Sequence, residues 1–122
     1  MTPHEAVERI HTLLAHAWMV RTFLKHSEEI ADHAEMLDVH RMIFDYVRAL
    51  EPSHQRGDTQ DYLRRARGKL PKLKKVADYF AAHYRDITDH TNFEMAALSL
   101  SACVRQIEDI LTAVRKPDAG QK

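Results

Sequence analysis

The sequence predicts an all-α protein, a four-helix bundle with helices of alternating direction, and three observations support this. Apolar residues recur every three or four positions over four long segments. The chain contains only three glycines, and helix-start signals precede most of these segments. No segment alternates apolar and polar residues as a half-buried strand would. Helices of about 20 to 27 residues with short connections favour an antiparallel up-down-up-down order.

The first two helices follow from start and stop signals. A capping box that begins at Thr2 predicts a helix over about residues 3–26. The sequence DHAE repeats this signal with Asp32 as the cap, and it predicts a second helix over about residues 33–51. Because the residue before a proline disfavours helical geometry, this helix is predicted to stop before Pro52.

The next segment, residues 52–58 (PSHQRGD), has the composition of a loop. A third helix is predicted over about residues 59–85. Its apolar residues keep their helical phase through Pro71, which predicts a kink there and not two separate helices. The capping sequence TNFE begins a fourth helix, predicted over about residues 92–115.

Length and composition predict one domain. The chain has 122 residues, and we expect a single bundle over residues 1–116 followed by a polar tail, 117–122. The only cysteine, Cys103, excludes an intrachain disulfide and favours a reducing compartment. No apolar run has the length of a membrane span, so we expect a cytoplasmic protein without membrane association.

Charge is balanced overall but is distributed unevenly. The 18 Lys and Arg equal the 18 Asp and Glu, which excludes a global attraction to nucleic acid or anionic membranes. Residues 26–51 are predominantly acidic and residues 56–75 predominantly basic. This asymmetry favours contact between neighbouring helices or self-association of subunits. The basic segment is also a candidate for contact with nucleic-acid phosphates, although no exposed aromatic platform accompanies it.

Nine histidines are the compositional excess, and the predicted topology gathers several of them. In an alternating bundle, the ends of helices 1 and 3 meet the starts of helices 2 and 4. This end, called the His-rich pole below, would carry His26, His33, His83 and His90, with His40 two turns deeper. Several carboxylates accompany them.

This pole is the predicted metal site. Donors three or four positions apart on a helix are neighbours, as His90 and Glu94 are, and a complete site needs donors from a second helix. We therefore predict that His33 and His40 face His90 and Glu94. Mixed imidazole and carboxylate donors suit zinc, or iron where coordination positions stay open. The alternative is that these histidines cap helix ends or are solvated.

Two motifs at this pole resemble those of known families. His90 with Glu94 and His40 with Asp45 resemble the HxxxE and HxxxxD pairs of hemerythrin-type di-iron proteins, although their order along the chain differs from that family's. Arg85 and His90, in RDITDH, resemble the Rx4-6H motif of HEPN ribonucleases. The second resemblance implies metal-independent RNA cleavage, in which the arginine stabilises phosphate charge and the histidine acts as acid or base.

Polar residues also occupy predicted core positions. Arg21 falls within the apolar face of helix 1, His40 is central on helix 2, and Tyr84 is expected at a similar level. We predict Arg21 and Tyr84 as the inner polar lining of a ligand pocket, with a carboxylate, carbonyl groups or a bound anion beside the guanidinium. Three functions therefore stay open: metal or small-ligand binding, HEPN-like ribonuclease activity, and a non-enzymatic interaction or oligomerisation module.

Overall fold

The computed structural model describes residues 1–114, which form four long helices: α1 (Pro3–Lys25), α2 (Ala34–Arg56), α3 (Thr59–His83) and α4 (Thr91–Ala113). Short 3-10 helices occupy Glu28–Ile30 and Tyr84–Asp86. No residue in this range belongs to a strand, and the all-α prediction is confirmed. The predicted tail, 117–122, lies outside the described residues.

The helices share one hydrophobic core. α1 packs against α2 and α4, and α3 packs against the same two helices. All four helices contribute side chains that are at most 1 % exposed, including Ile10, Ile43, Leu73 and Leu100. Burial of the apolar faces of the four helices contributes most to the stability of the fold. Within residues 1–114 we find no helix that combines the length and the apolar character needed to cross a bilayer.

The helix starts differ in how they are capped. The Thr2 hydroxyl accepts a hydrogen bond from the Glu5 backbone N–H at 3.0 Å, and the Glu5 carboxylate accepts from the Thr2 N–H at 2.8 Å, as predicted. At the starts of α2 and α4, however, histidines take the cap positions. His33 makes no side-chain cap hydrogen bond. His90 does, because its Nδ1 accepts from the Asn92 backbone N–H at 3.1 Å.

The predicted stop at Pro52 is wrong. α2 continues through this proline to Arg56, and only Gly57 and Asp58 separate it from α3. Pro52 removes one backbone hydrogen bond, but the next residues are held by neighbouring helices: Ser53 is 1 % exposed. Gly57 then ends the helix in the left-handed conformation, with φ 69°, which glycine adopts without steric cost.

α3 is one continuous helix through Pro71, as predicted. Its predicted end at residue 85 falls inside the 3-10 turn that follows His83. Because the last turn of a helix often tightens in this way, the difference is confined to the helix end.

Candidate functional site

The four predicted metal ligands lie in different environments. His33 is exposed at the start of α2, and His90 is exposed at the start of α4. His40 is half-buried and lines a shallow depression between α1 and α2, away from the depression that His90 lines. The half-buried Glu94 lies 3.9 Å from the Arg85 guanidinium. Within residues 1–114, no three His, Cys, Asp or Glu side chains are arranged so as to hold a metal ion.

Arg21 is half-buried, and its guanidinium packs on aromatic rings. It lies 4.1 Å from the centroid of the Trp18 ring and 5.1 Å from that of Phe44, and its Nε has no hydrogen-bond partner. Cation–π attraction therefore stabilises the guanidinium, where we expected a carboxylate, carbonyl groups or a bound anion. Arg21 shares its depression with His40, whose pKa is lowered by burial and then by nearby cationic groups.

The other predicted lining residue, Tyr84, is buried in the short helix that follows α3. It does not line the depression that Arg21 and His40 share, and its ring packs 6.0 Å from that of Phe80. The Arg85 guanidinium covers it at 5.1 Å. Arg85 and His90 are both exposed, and RNA cleavage by this pair stays a prediction.

A large concave surface lies at the His-rich pole, between the end of α1 and the start of α4. This cleft, called the pole cleft below, has a volume of about 860 Å³. The side chains relevant to binding are two aromatic rings, two imidazoles and two carboxylates: Phe23, Phe93, His26, His90, Glu28 and Glu29. Of the predicted donors, only His90 lines it.

Glu29 stays ionised in this cleft. A hydrogen bond from its own backbone N–H, one from the Ser27 hydroxyl at 3.0 Å, and the nearby His90 all lower the pKa of Glu29 below its usual range. The pole cleft therefore places a negative charge beside imidazoles and apolar rings. This combination of side chains is suited to binding a small molecule.

Several residues of the basic segment 56–75, which spans the end of α2 and part of α3, make contacts within the chain. Arg56, Arg64 and Arg65 all contact the carboxylate of Asp61. Farther along α3, the Arg67 guanidinium donates to backbone carbonyls at the end of α4, and Lys74 pairs with Glu108 of α4 at 3.4 Å. Because three arginines share one carboxylate and Arg67 contacts uncharged carbonyl groups, most of the positive charge of residues 56–75 is retained, and contact with nucleic-acid phosphates stays a prediction.

Asp61 is the centre of a polar cluster at the end of the bundle opposite the pole cleft. Its carboxylate accepts a 2.5 Å hydrogen bond from the Ser53 hydroxyl and a 2.8 Å bond from Arg65. These bonds, the Ser53 bond first, hold the pKa of Asp61 well below its usual value. The cluster joins the last turn of α2 to the first turn of α3.

Beside this cluster, imidazole rings from α1 and α2 are stacked. The rings of His11 and His54 are parallel within 3°, with centroids 3.7 Å apart. Burial, followed by the His54 ring, lowers the pKa of His11. His54 Nε2 lies 3.4 Å from the Glu8 carboxylate, and the fully buried Tyr62 has a hydroxyl without a hydrogen-bond partner.

These side chains were not predicted to meet, because Pro52 was taken as the end of α2. That prediction placed Ser53 and His54 in a loop, where helical periodicity does not determine the direction of a side chain. The signal was present nevertheless: Tyr46, Leu50 and Ser53 follow one another at helical spacing, so the buried face continues past the proline.

No protein-family model matches this chain, and comparisons with curated proteins and with solved structures find no significant match. The case for function therefore rests on side-chain geometry.

Proposed function

We propose that this protein binds a small organic molecule in the pole cleft. The observation that carries the proposal is the combination of aromatic, imidazole and carboxylate side chains around a volume of about 860 Å³, within the range of small-molecule sites. The half-buried ring of Phe23 offers an apolar surface, and the buried ring of Phe93 supports it at a centroid distance of 5.1 Å.

The expected ligand has an apolar body and a positively charged group. Glu28 and Glu29 both line the cleft, and the lowered pKa of Glu29 keeps its charge in place at neutral pH. An ammonium group would form charge-assisted hydrogen bonds with these carboxylates, while His26 and His90 would accept or donate further hydrogen bonds. Since no three metal donors converge within residues 1–114, we favour this class over a metal ion at this pole.

Ligand-detected NMR and calorimetry with 2-phenylethylammonium test the proposal, with the uncharged 2-phenylethanol as the comparison. We expect the cation to bind more tightly than the alcohol, and Glu29→Gln to weaken binding of the cation by about tenfold. His90→Asn removes the imidazole but retains a capping side chain, so a second loss of affinity there would reflect the ligand contact.

His16→Asn is the matched control, because His16 is exposed in the middle of α1 and does not line the cleft. It should leave affinity unchanged. If neither probe binds, or if Glu29→Gln and His16→Asn behave alike, the cleft is not the binding site. Equal binding of the two probes would contradict the assigned charge.

We also propose the up-down-up-down order for the four helices, with a kink of α3 at Pro71. Contacts between helices support the order. Ser53 near the end of α2 meets Asp61 near the start of α3, and the earlier Tyr46 meets the later Ala66. Between α1 and α4, the Cys103 thiol lies 3.6 Å from the Leu13 carbonyl, whereas Phe23 meets Phe93.

A second proposal is self-association through the outer surface of α1 and α4. Three large apolar side chains there are at least half exposed: Met19, Met95 and Leu98. The contacts of Leu13 with Cys103 and of Phe23 with Phe93 support a location of Met19 beside the 95–98 segment. A second copy is the expected occupant, because the chain's net charge of zero produces little repulsion between copies.

Sedimentation velocity over a range of concentrations tests this surface. We expect concentration-dependent dimers, and we expect Leu98→Glu combined with Met19→Glu to shift the population to monomer. Ala81→Glu, at an exposed position on α3, is the control and should leave the dimer intact. A monomer at all concentrations, or equal loss with the control, would contradict the proposal.

A further inference from the structure

The depression between α1 and α2 that Arg21 and His40 share is lined mainly by cationic side chains. We call it the Arg21 depression, and it has a volume of about 350 Å³, within the range of small-molecule sites. Its other lining residues are Lys25, Arg41, Phe44 and Asp45. Three cations therefore line this depression together with one carboxylate, and the pole cleft contains none of these residues.

Helical spacing brings these side chains to the same place. Arg21 and Lys25 are four positions apart on α1, and Arg41 and Phe44 are three positions apart on α2, so each pair lies on one face of its helix. α1 packs against α2, and the Arg21 guanidinium lies 5.1 Å from the centroid of the Phe44 ring. The two faces therefore form the walls of the Arg21 depression.

The positive charge of this depression is not neutralised by the protein. None of the ion pairs within residues 1–114 includes Arg21 or Lys25. Arg41 approaches Asp38 only at 3.9 Å, and their side chains are 67 % and 65 % exposed, so this contact is weak. An anion in the depression would therefore meet cations that still lack a counter-charge.

His40 responds to this concentration of charge. Burial lowers the pKa of His40 first, and Arg41, Arg21 and Lys25 lower it further. All three cations are therefore close to one side chain of the depression. The imidazole is mainly neutral at neutral pH, and its N–H group is a further hydrogen-bond donor for an anion.

The packing of Arg21 on aromatic rings is compatible with anion binding. Cation–π contacts with Trp18 and Phe44 use the face of the guanidinium, whereas its N–H donors point outward in its plane. Nε is buried, so the terminal nitrogens are the donors for a ligand in the depression. Because the rings hold the guanidinium in place, binding costs less side-chain entropy.

Asp45, the carboxylate among the lining residues, is exposed and lies at the border of a second, smaller depression. Lys69 and Lys72 of α3 line that neighbouring depression together with Asp45. These lysines and the solvent reduce the repulsion between Asp45 and an anion near Arg21.

We propose that the Arg21 depression binds a small molecule that carries a phosphate monoester, with the phosphate near Arg21, Lys25 and Arg41 and an apolar group on Phe44. Three cations and one carboxylate leave two positive charges, which match the about two negative charges of a phosphate monoester near pH 7. The Phe44 ring is 38 % exposed and provides the apolar surface. The proposal is independent of the cationic ligand assigned to the pole cleft.

Binding of phenyl phosphate to the full-length protein at about 0.15 M salt tests the proposal, because this ionic strength screens non-specific attraction. Trp18 is the only tryptophan and lies 4.1 Å from the Arg21 guanidinium, so its fluorescence reports binding, and calorimetry gives the affinity. We expect phenyl phosphate to bind more tightly than inorganic phosphate. Phenol, which lacks the phosphate, should not bind measurably.

Variants of exposed residues identify the site without disturbing the core. Lys25→Gln and Arg41→Gln should each weaken phenyl phosphate by about threefold to tenfold. Arg21→Lys retains the charge but loses the planar set of donors, so we expect a loss of about tenfold. Asp45→Asn should strengthen binding by about threefold, because it removes the carboxylate that repels the ligand.

Arg105→Gln is the matched control. It removes one positive charge from an exposed position on α4, outside the Arg21 depression, and it should leave affinity unchanged. Circular dichroism checks that every variant is folded. Absence of saturable phenyl phosphate binding, equal losses in Arg105→Gln and Lys25→Gln, or weaker binding in Asp45→Asn would overturn the proposal. Equal affinities for inorganic phosphate and phenyl phosphate would contradict the role of Phe44.

Discussion

Replacing Asp61 by alanine is expected to destabilise the protein markedly although the residue lies near the surface. The change removes the acceptor of the Ser53 hydroxyl, which is 1 % exposed, and an unpartnered buried hydroxyl costs about 1–3 kcal/mol. It also leaves Arg56, Arg64 and Arg65 beside one another without their shared counter-charge. Both effects act at the junction of α2 and α3.

Urea denaturation of Asp61→Ala, Ser53→Ala and the double variant measures this. We expect the two substitutions to be non-additive by about 0.5–3 kcal/mol, because the double variant has no hydroxyl left unpaired. Asp78→Ala, at an exposed position on the same helix, is the control and should change stability by less than about 0.5 kcal/mol. Additive effects within error would mean that the hydrogen bond contributes nothing specific.

The ionisation of Asp61 also makes the stability of the fold depend on pH in the acid range. Its hydrogen bonds lower its pKa in the folded state, so the unfolded state takes up the proton first as pH falls. The stabilisation is therefore complete above the unfolded-state value of about 3.9 and is lost as pH falls toward the lower folded-state value. Below about pH 4, Asp61→Asn should lose less stability per pH unit than the unchanged chain does.

Phe93→Ala is expected to have the largest effect on stability. The Phe93 ring is 2 % exposed and packs edge-on against Phe23, so it joins the start of α4 to the end of α1. Truncation of a buried phenylalanine to alanine costs about 3–5 kcal/mol, because it loses apolar burial and leaves a cavity.

Phe44→Ala is the matched comparison. Phe44 is 38 % exposed and lies against Trp18 at 5.8 Å, so its loss should cost no more than about 1.5 kcal/mol. Denaturant midpoints give both values. Equal losses from the two substitutions would show that the Phe93 ring is not an essential part of the core.

Local signals in the sequence predicted the structure correctly where that structure depends on a single segment of the chain. The capping box of Thr2 and Glu5 forms as predicted, and α3 continues through Pro71 because its apolar stripe is unbroken. At Pro52 the same reasoning failed. A proline is unfavourable inside a helix, but the contacts that Ser53 and His54 make with α3 and α1 outweigh that local preference.

The candidate sites were less predictable, because they depend on side-chain direction and on contacts between distant segments. Sequence spacing grouped His33 and His40 with His90, whereas His90 lines the pole cleft and His40 lines another depression. The position of Arg21 on the apolar face of α1 predicted a carboxylate, carbonyl groups or a bound anion beside it. The guanidinium instead lies against Trp18 of its own helix and Phe44 of α2, and no pattern within α1 specifies the contact with Phe44.

By itself, the sequence determined that the chain is helical, where most helices begin, and which stripes are buried, because each of these depends on periodicity and capping within one segment. Only the tertiary structure decided which histidines meet. A ring's neighbours are set by helix packing and side-chain rotation, and these brought His54 to Glu8 and His90 to the pole cleft while leaving His33 exposed.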